Sequence, residues 1–280
     1  MAPVFFSDIS KNVNGLLNRD FYHGTPASVD VKTTAPNGVA FTAKGKTNPK
    51  TGAIASSVEA RFSDKQTGLT LTQSLNNASA LETKVELADL TPGLKAELAT
   101  SLIPGTSKAV KLNLNFVQPY FAARGFFDLL KGPSFVGDLA VARDGFTAGA
   151  EVGYDLTSAA ITKYAAALGY TAGAYSLTVG ADKNQVFTGS FYQRVSPVLE
   201  VGAKSTYASL TNANAIEFAT KYDLDATSSV KAKIQDSGIV DLAYKQDLRK
   251  GVTLGVGASF NALKLEEPVH KLGWSLSFSA

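Results

Sequence analysis

The segment "TPGLKAELATSLIPGTSKAVKLNLNF" (91–116) carries one pattern twice. Leu94, Ala96 and Leu98 alternate with Lys95 and Glu97, and after the turn "IPGTS" (103–107) Val110, Leu112, Leu114 and Phe116 alternate with Lys111, Asn113 and Asn115. Successive side chains of a strand point to opposite faces, so each run reads as a strand with an apolar environment on one side and a wet one on the other. Working outward, "VAFTAKGK" (39–46), "LETKVELA" (81–88), "LEVGAKSTY" (199–207), "VKAKIQ" (230–235) and "VTLGVGASF" (252–260) repeat the alternation. Between the runs lie "APNG" (35–38), "NPKTG" (48–52), "TPG" (91–93), "KGPS" (131–134), "RDG" (143–145), "DSG" (236–238) and "RKG" (249–251). Gly, Pro, Asn and Asp there supply the backbone angles of tight hairpins. The segmentation gives about 19 strands of about 9–11 residues, the length a tilted strand needs to cross a bilayer. It is blurred by alanine and glycine only at 159–195.

Connections this short join antiparallel neighbours and leave no room for helical crossovers, so the sheet is a meander. An open meander of this size exposes two edges, whereas a closed barrel removes them. The polar face carries Lys32, Lys44, Lys46, Arg61, Lys84, Glu86, Lys95, Glu97, Lys111, Arg124, Asp128, Lys204, Glu217, Lys221, Lys231, Lys233, Asp241 and Lys245. That set needs water, and a barrel of about 19 strands is wide enough to hold it. The apolar face then meets lipid, because no segment remains to form a covering layer, and closure pairs every backbone donor as hydrocarbon demands. The expected fold is an all-β transmembrane barrel over 25–280, preceded by an amphipathic segment and hinge at 1–24.

Composition excludes several classes. Of the 280 residues 45% are hydrophobic, only 18% are charged and the net charge is +3, too mild for a nucleic-acid partner; there is no basic block. Cysteine is absent, and His23 and His270 have no second ligand at metal spacing, so neither thiol chemistry nor a metal site is expected. No Ser/His/Asp constellation, HExxH or phosphate-cradling loop appears, and no cofactor is implied; Gly255 and Gly257 read as strand glycines that permit a bend or a close approach. The expectation is a protein that is not an enzyme. The N-terminus has neither the basic and apolar regions of a secretory signal nor the composition of a cleavable transit peptide.

In the N-terminal segment Phe5, Ile9, Val13 and Leu16 form a helical stripe, with Ser7 as N-cap and Gly24 and Pro26 as breakers; Asp8, Lys11, Asn14, Asn18 and Arg19 lie off the stripe. A helix of about four turns cannot span a bilayer. It can lie on the membrane surface or pack by its stripe against the inner wall, the second placing Lys11 and Arg19 in the water path.

The pieces "FSDISKNVNGLLNRDFYHG" (6–24), "DKQTGLTLTQ" (64–73), "TPGLKAE" (91–97), "FFDLLKGPSFVGD" (126–138), "YDLDATSSVKAKIQDSGIVDLAYKQDLRKGVTLGVGASF" (222–260) and "KLEEPVHKLGWSLSFSA" (264–280) together resemble the eukaryotic mitochondrial porins, the voltage-dependent anion channels, in their fungal form. That family has an odd, 19-stranded barrel. The resemblance implies a voltage-gated, weakly anion-selective pore of the mitochondrial outer membrane that passes ATP, ADP, phosphate, other metabolite anions and small ions. It implies a helix within the lumen and parallel closure between first and last strands. It also implies outer-membrane import and assembly machinery as partners, with room for homo-oligomers. Lys11 and Arg19 match the family's basic helix positions, and Lys95 in Gly93-Leu94-Lys95 matches its Gly-Leu-Lys motif; all three are thereby candidates for nucleotide contact. Pore-lining and voltage-sensing candidates are Lys11, Arg19, Asp8, Lys46, Lys84, Lys95, Arg61 and Arg124, on a lumen that leans basic. Asn14 stands where animal members carry a basic residue, and Gln73, on the lipid-facing side between Leu71 and Leu75, where some carry a glutamate. Gln235 and Asp241 stand where the family signature prefers small polar residues.

The last strand, "HKLGWSLSFSA" (270–280), presents Leu272, Trp274, Leu276 and Phe278 to lipid and closes the barrel near Val29 and Val31. Its Lys271, Gly273, Leu276 and Phe278 fit the polar-x-Gly-x-x-hydrophobic-x-hydrophobic signal of mitochondrial barrel assembly. Two other readings remain. A protein-conducting outer-membrane barrel of the same strand number usually has a longer N-terminal extension and an acidic lumen; a docking scaffold is compatible with a pore.

Overall fold

The computed structural model describes residues 3–64, 66–103, 107–130, 133–266 and 270–279. The turns expected at 103–107 and 131–134 fall largely outside them. The chain forms one sheet of 19 strands, numbered in chain order from β1 (Ala27–Thr34) to β19 (Lys271–Ser279). Consecutive strands pair antiparallel all the way round, and the sheet closes through a parallel ladder in which Val29 faces Leu276 and Val31 faces Phe278. The edge at the end of the chain is thus paired, as a barrel in hydrocarbon requires.

Strands run from 8 to 13 residues. The alanine-rich stretch resolves into β11 (Ala160–Ala172), β12 (Tyr175–Asp182) and β13 (Val186–Ser196). At the hairpin "RDG", Asp144 and Gly145 both have positive φ (52° and 87°), the turn whose twist matches the flanking strands.

Residues directly opposite in a ladder share a face, so the register sorts every side chain. Val58, Leu71, Leu98, Leu139, Leu168, Val179, Phe218, Ile234 and Leu242 all lie exposed on the outer surface. Among the described residues the largest fully buried side chains are only Leu17 and Val13. A water-soluble chain of this length would enclose a core of large apolar side chains. Here they point outward, as on the lipid-facing side of a barrel whose strands cross hydrocarbon; no helix among the described residues is long and apolar enough to cross a membrane.

The N-terminal segment differs from the four-turn helix expected. A 3-10 turn spans Phe6–Asp8, α1 spans only Lys11–Asn18, and a second 3-10 turn spans Tyr22–Gly24. Ser7 caps nothing; its Oγ accepts a hydrogen bond from Arg124 Nη2 at 2.9 Å, and Ser10 occupies the N-cap of α1. The reason is composition. "KNVNGLLN" holds three asparagines and a glycine, all poor helix formers, so the helix extends only as far as packing supports it.

Candidate functional site

The inner wall carries the N-terminal segment. Val13, Leu16 and Leu17 bury against Ala219 of β15 (Ala213–Asp223), with Tyr192 of β13 alongside. Tyr192, Gly202 of β14 (Leu199–Ala208) and Ala219 stand opposite one another in register and form a floor across three strands. Gly202 makes it shallow: a Cβ there would lie 2.9 Å from Leu16 Cδ2. Each leucine buried from water is worth about 1.5–3 kcal/mol, so this patch is the main apolar attraction holding a weak helix former in place. Leu17, four residues after Val13, belongs to this contact although it lies outside the Phe5–Ile9–Val13–Leu16 stripe; extending the same helical spacing by one step finds it. Phe6 and Ile9 rest over Gly149 of β10 (Phe146–Asp155), and Ile9 also over Gly169.

Arg124 of β8 (Phe121–Asp128) holds the start of the segment. It donates to Asp138 Oδ2 through Nε at 2.9 Å and Nη2 at 2.7 Å, reaches Ser7, and lies 4.6 Å from the Phe5 ring centroid. The hinge at the other end sits on glycines. Gly257 of β18 (Val252–Asn261) faces Gly273 of β19, and Cβ atoms there would meet the Tyr22 and His23 amide nitrogens and the Tyr22 and Thr25 carbonyl oxygens respectively. Burial, then Asp20 and Asp247, push the Tyr22 phenol up to about 12, so it stays neutral.

His23 Nε2 lies 3.6 Å from Asp241 Oδ1, while Asp241 Oδ2 lies 3.4 Å from Lys233 Nζ. Burial lowers the His23 pKa and outweighs Asp241, which raises it; Lys233 and Lys271 lower it further. The seated hinge therefore binds the proton less readily than a free imidazole. Its seating is favoured above the ordinary histidine pKa of about 6.5 and weakens as pH falls through the window below it. Hydrogen exchange of the amides at 22–25, corrected for intrinsic rate, should accelerate across that window, and His23→Gln should remove the pH dependence. An unchanged pH dependence in His23→Gln would disprove the assignment.

With a closed apolar-outside barrel and a segment seated inside it, comparison with known proteins becomes decisive. The family model described as eukaryotic porin matches residues 2–273. The chain belongs to the eukaryotic porin family. It is 58% identical over the full length of both chains to "Non-selective voltage-gated ion channel 1" of Saccharomyces cerevisiae. It is 57% and 49% identical, again over full lengths, to proteins of Candida albicans and Neurospora crassa both named "Mitochondrial outer membrane protein porin". Among solved structures, a mutant porin of Rhodopseudomonas blastica matches with a TM-score of 0.53 at 11% identity, over 85% of this chain and 98% of that one, a likeness of barrel fold alone.

The register places the wall residues of this porin. Lys46 of β2 (Ala40–Thr47) faces Ser28, and Arg61 of β3 (Ile54–Asp64) faces Ala40, on the side that holds α1. Among the described residues neither has a carboxylate within 4.0 Å. Lys84 of β5 (Leu81–Thr91) bonds Glu86 and Glu97, both at 2.9 Å, and Lys95 of β6 (Leu94–Ile103) bonds Glu86 at 2.7 Å. Glu82 and Glu200, on the polar side of "LETKVELA" and "LEVGAKSTY", face inward by the same register, and so do Asp30, Glu59, Asp138 and Glu151, which the alternation does not single out. Lumen cations are therefore largely matched by acids. Lys11 is exposed and lies 3.6 Å from Asp8; the Arg19 side chain is exposed just past the helix. Lys95, on β6, is on the far side of the wall from β13–β15, so the structure does not gather Lys11, Arg19 and Lys95 at one point. Gln73 and Trp274 are exposed on the outer face, Gln73 between Leu71 and Leu75.

Proposed function

We propose that this porin is a voltage-gated pore of the mitochondrial outer membrane with weak anion preference, passing ATP, ADP, phosphate, other metabolites and small ions. The observation that carries the reading is the closed barrel with an apolar exterior, a charged interior and a charged segment resting on its inner wall. A wide pore passes solutes by size and by the charges that line it. Near-balance of those charges supports weak selectivity, and screening makes it weaker still at high salt. Gating needs charge that moves through the field, each unit worth about 2.3 kcal/mol per 100 mV. Lys11, Arg19 and Asp8 on the inner segment, with wall residues Lys46, Arg61, Lys84, Lys95 and Arg124, are its proposed carriers, and Lys11, Arg19 and Lys95 separate points of nucleotide contact. Lys271, Gly273, Leu276 and Phe278 are the proposed assembly signal.

Planar-bilayer conductance under a salt gradient tests pore, size and selectivity together; folded protein without channel activity would overturn the reading. Lys46→Glu should move the reversal potential toward cations with little structural damage, because among the described residues Lys46 has no ion pair to break. Lys95→Glu should move it the same way and also lower stability, since it sets a third carboxylate beside Glu86 and Glu97. A reversal potential unmoved by Lys46→Glu contradicts its place in the conduction path.

A further inference from the structure

Strand β16 (Ser228–Gln235) alternates Ser229, Lys231, Lys233 and Gln235 on the inner face. Lys231 is only 5% exposed, and its cross-strand neighbours are Lys221 on β15 and Ala243 on β17 (Ile239–Arg249). Two lysines opposite each other repel. Lys221 is relieved by Asp223, 3.0 Å away, whereas among the described residues no carboxylate comes within 4.0 Å of Lys231. The Lys231 ammonium instead donates to the carbonyl oxygens of Arg19 at 2.7 Å and Gly15 at 3.3 Å, and lies 5.0 Å from the centroid of the Phe21 ring. Those carbonyls belong to the last turn of α1 and the residue that caps it, at the negative end of the helix dipole; the Gly15 oxygen also accepts the Arg19 N–H at 3.1 Å, whereas the Arg19 oxygen lies past the intrahelical donors. The dependence is mutual. The buried charge makes its direct hydrogen bonds, among the described residues, to the helix end, and the helix end, which has no basic residue in its own last turn, takes its cation from the strand.

We propose that Lys231 is the positioning residue that clamps α1 to the wall, so that helix displacement and exposure of one wall cation are a single event. The position of the helix thereby sets the charge the lumen presents: seated, the ammonium is covered by backbone oxygen and an aromatic ring; displaced, it faces the water path. The electrical consequence rests on the pore reading. The clamp itself does not, and can be measured where no current flows.

The chain has no cysteine, so Asn12→Cys with Thr211→Cys gives a unique pair of spin labels, one on the exposed side of α1 and one on the turn after β14. The native background should give one narrow distance distribution. Lys231→Met should broaden it severalfold, Lys231→Arg should restore it, and Lys221→Met, which removes an equal charge from the next strand without touching the helix, should leave it narrow. In bilayers Lys231→Met should close at a lower voltage than Lys231→Arg or Lys221→Met. Because a variant can misfold, the native chain supplies an independent measurement: Lys231 should acetylate severalfold more slowly than Lys221. A distribution in Lys231→Met as narrow as native, or equal acetylation of the two lysines in native protein, overturns the clamp. Broadening without any channel current in the parent protein would sustain the clamp and overturn the pore reading alone.

Discussion

Leu17→Asp unseats α1 while leaving the strand ladder intact. Leu17 is 0% exposed and packs with Val13 and Leu16 on the floor formed by Tyr192, Gly202 and Ala219. Truncating a buried leucine costs about 2–5 kcal/mol in a typical core. Aspartate adds an unpaired carboxylate that must stay hydrated, and a helix built from "KNVNGLLN" has no intrinsic stability with which to absorb that loss. None of these contacts belongs to the interstrand hydrogen bonds, so strand content and the resistance of the barrel to heat should barely change. The spin label at Asn12→Cys should become as mobile as an unfolded peptide, and voltage gating should be lost or shifted severalfold. A native-like immobile label in Leu17→Asp would show that other contacts, the Lys231 clamp and those of Phe6 and Ile9 over Gly149, carry the seat.

Gly273→Ala separates two demands on one residue. Gly273 is a member of the proposed assembly signal, and in the folded barrel it also lies directly beneath the Tyr22 and Thr25 carbonyl oxygens. The obstructing atoms are backbone, which cannot swing aside as a side-chain tip would, so even a methyl group forces the hinge off β18 and β19. Gly273→Ala should therefore insert normally but expose the amides at 22–25 to rapid hydrogen exchange. Gly273→Asp and Phe278→Asp should fail earlier, at insertion, and should still fail in a chain lacking residues 3–24, where no hinge remains to be displaced. Gly273→Ala in that shortened chain should behave as its parent. Failure of shortened Gly273→Ala to insert would mean that the assembly step rejects any side chain at 273; normal insertion of Phe278→Asp would refute the signal.

What was legible in the sequence is local and periodic. Alternation in "LKAELATSL" and "VKLNLNF" assigned each side chain to a face, because the period of a strand is two wherever the strand sits, and the same parity placed Lys95 inside and Gln73 outside in the register. Hairpin signals such as Asp144-Gly145 told where strands turn. The strand count, the apolar exterior and the need for closure follow from those elements and the requirement that hydrocarbon meet no unpaired backbone.

Only the tertiary structure decided what depends on who meets whom across the lumen. Helical spacing alone allowed four turns; the wall supports two, since the sequence is a poor helix and the buried apolar floor lies under Val13, Leu16 and Leu17. The pairing of Lys84 with Glu97 and of Lys95 with Glu86 is set by the offset between neighbouring strands, which no single strand records. Gly257 reads from the sequence as a strand glycine that permits a bend or a close approach, and Gly273 as a signal residue; that the approaching chain is Tyr22, more than two hundred residues away, comes only from the closed barrel. Lys231 looked like one more wall lysine, and its role comes from the two carbonyls of Gly15 and Arg19 that a closed barrel brings to it. Periodicity is written residue by residue along the chain, whereas these contacts exist only after nineteen strands have closed a circle around their own N-terminus.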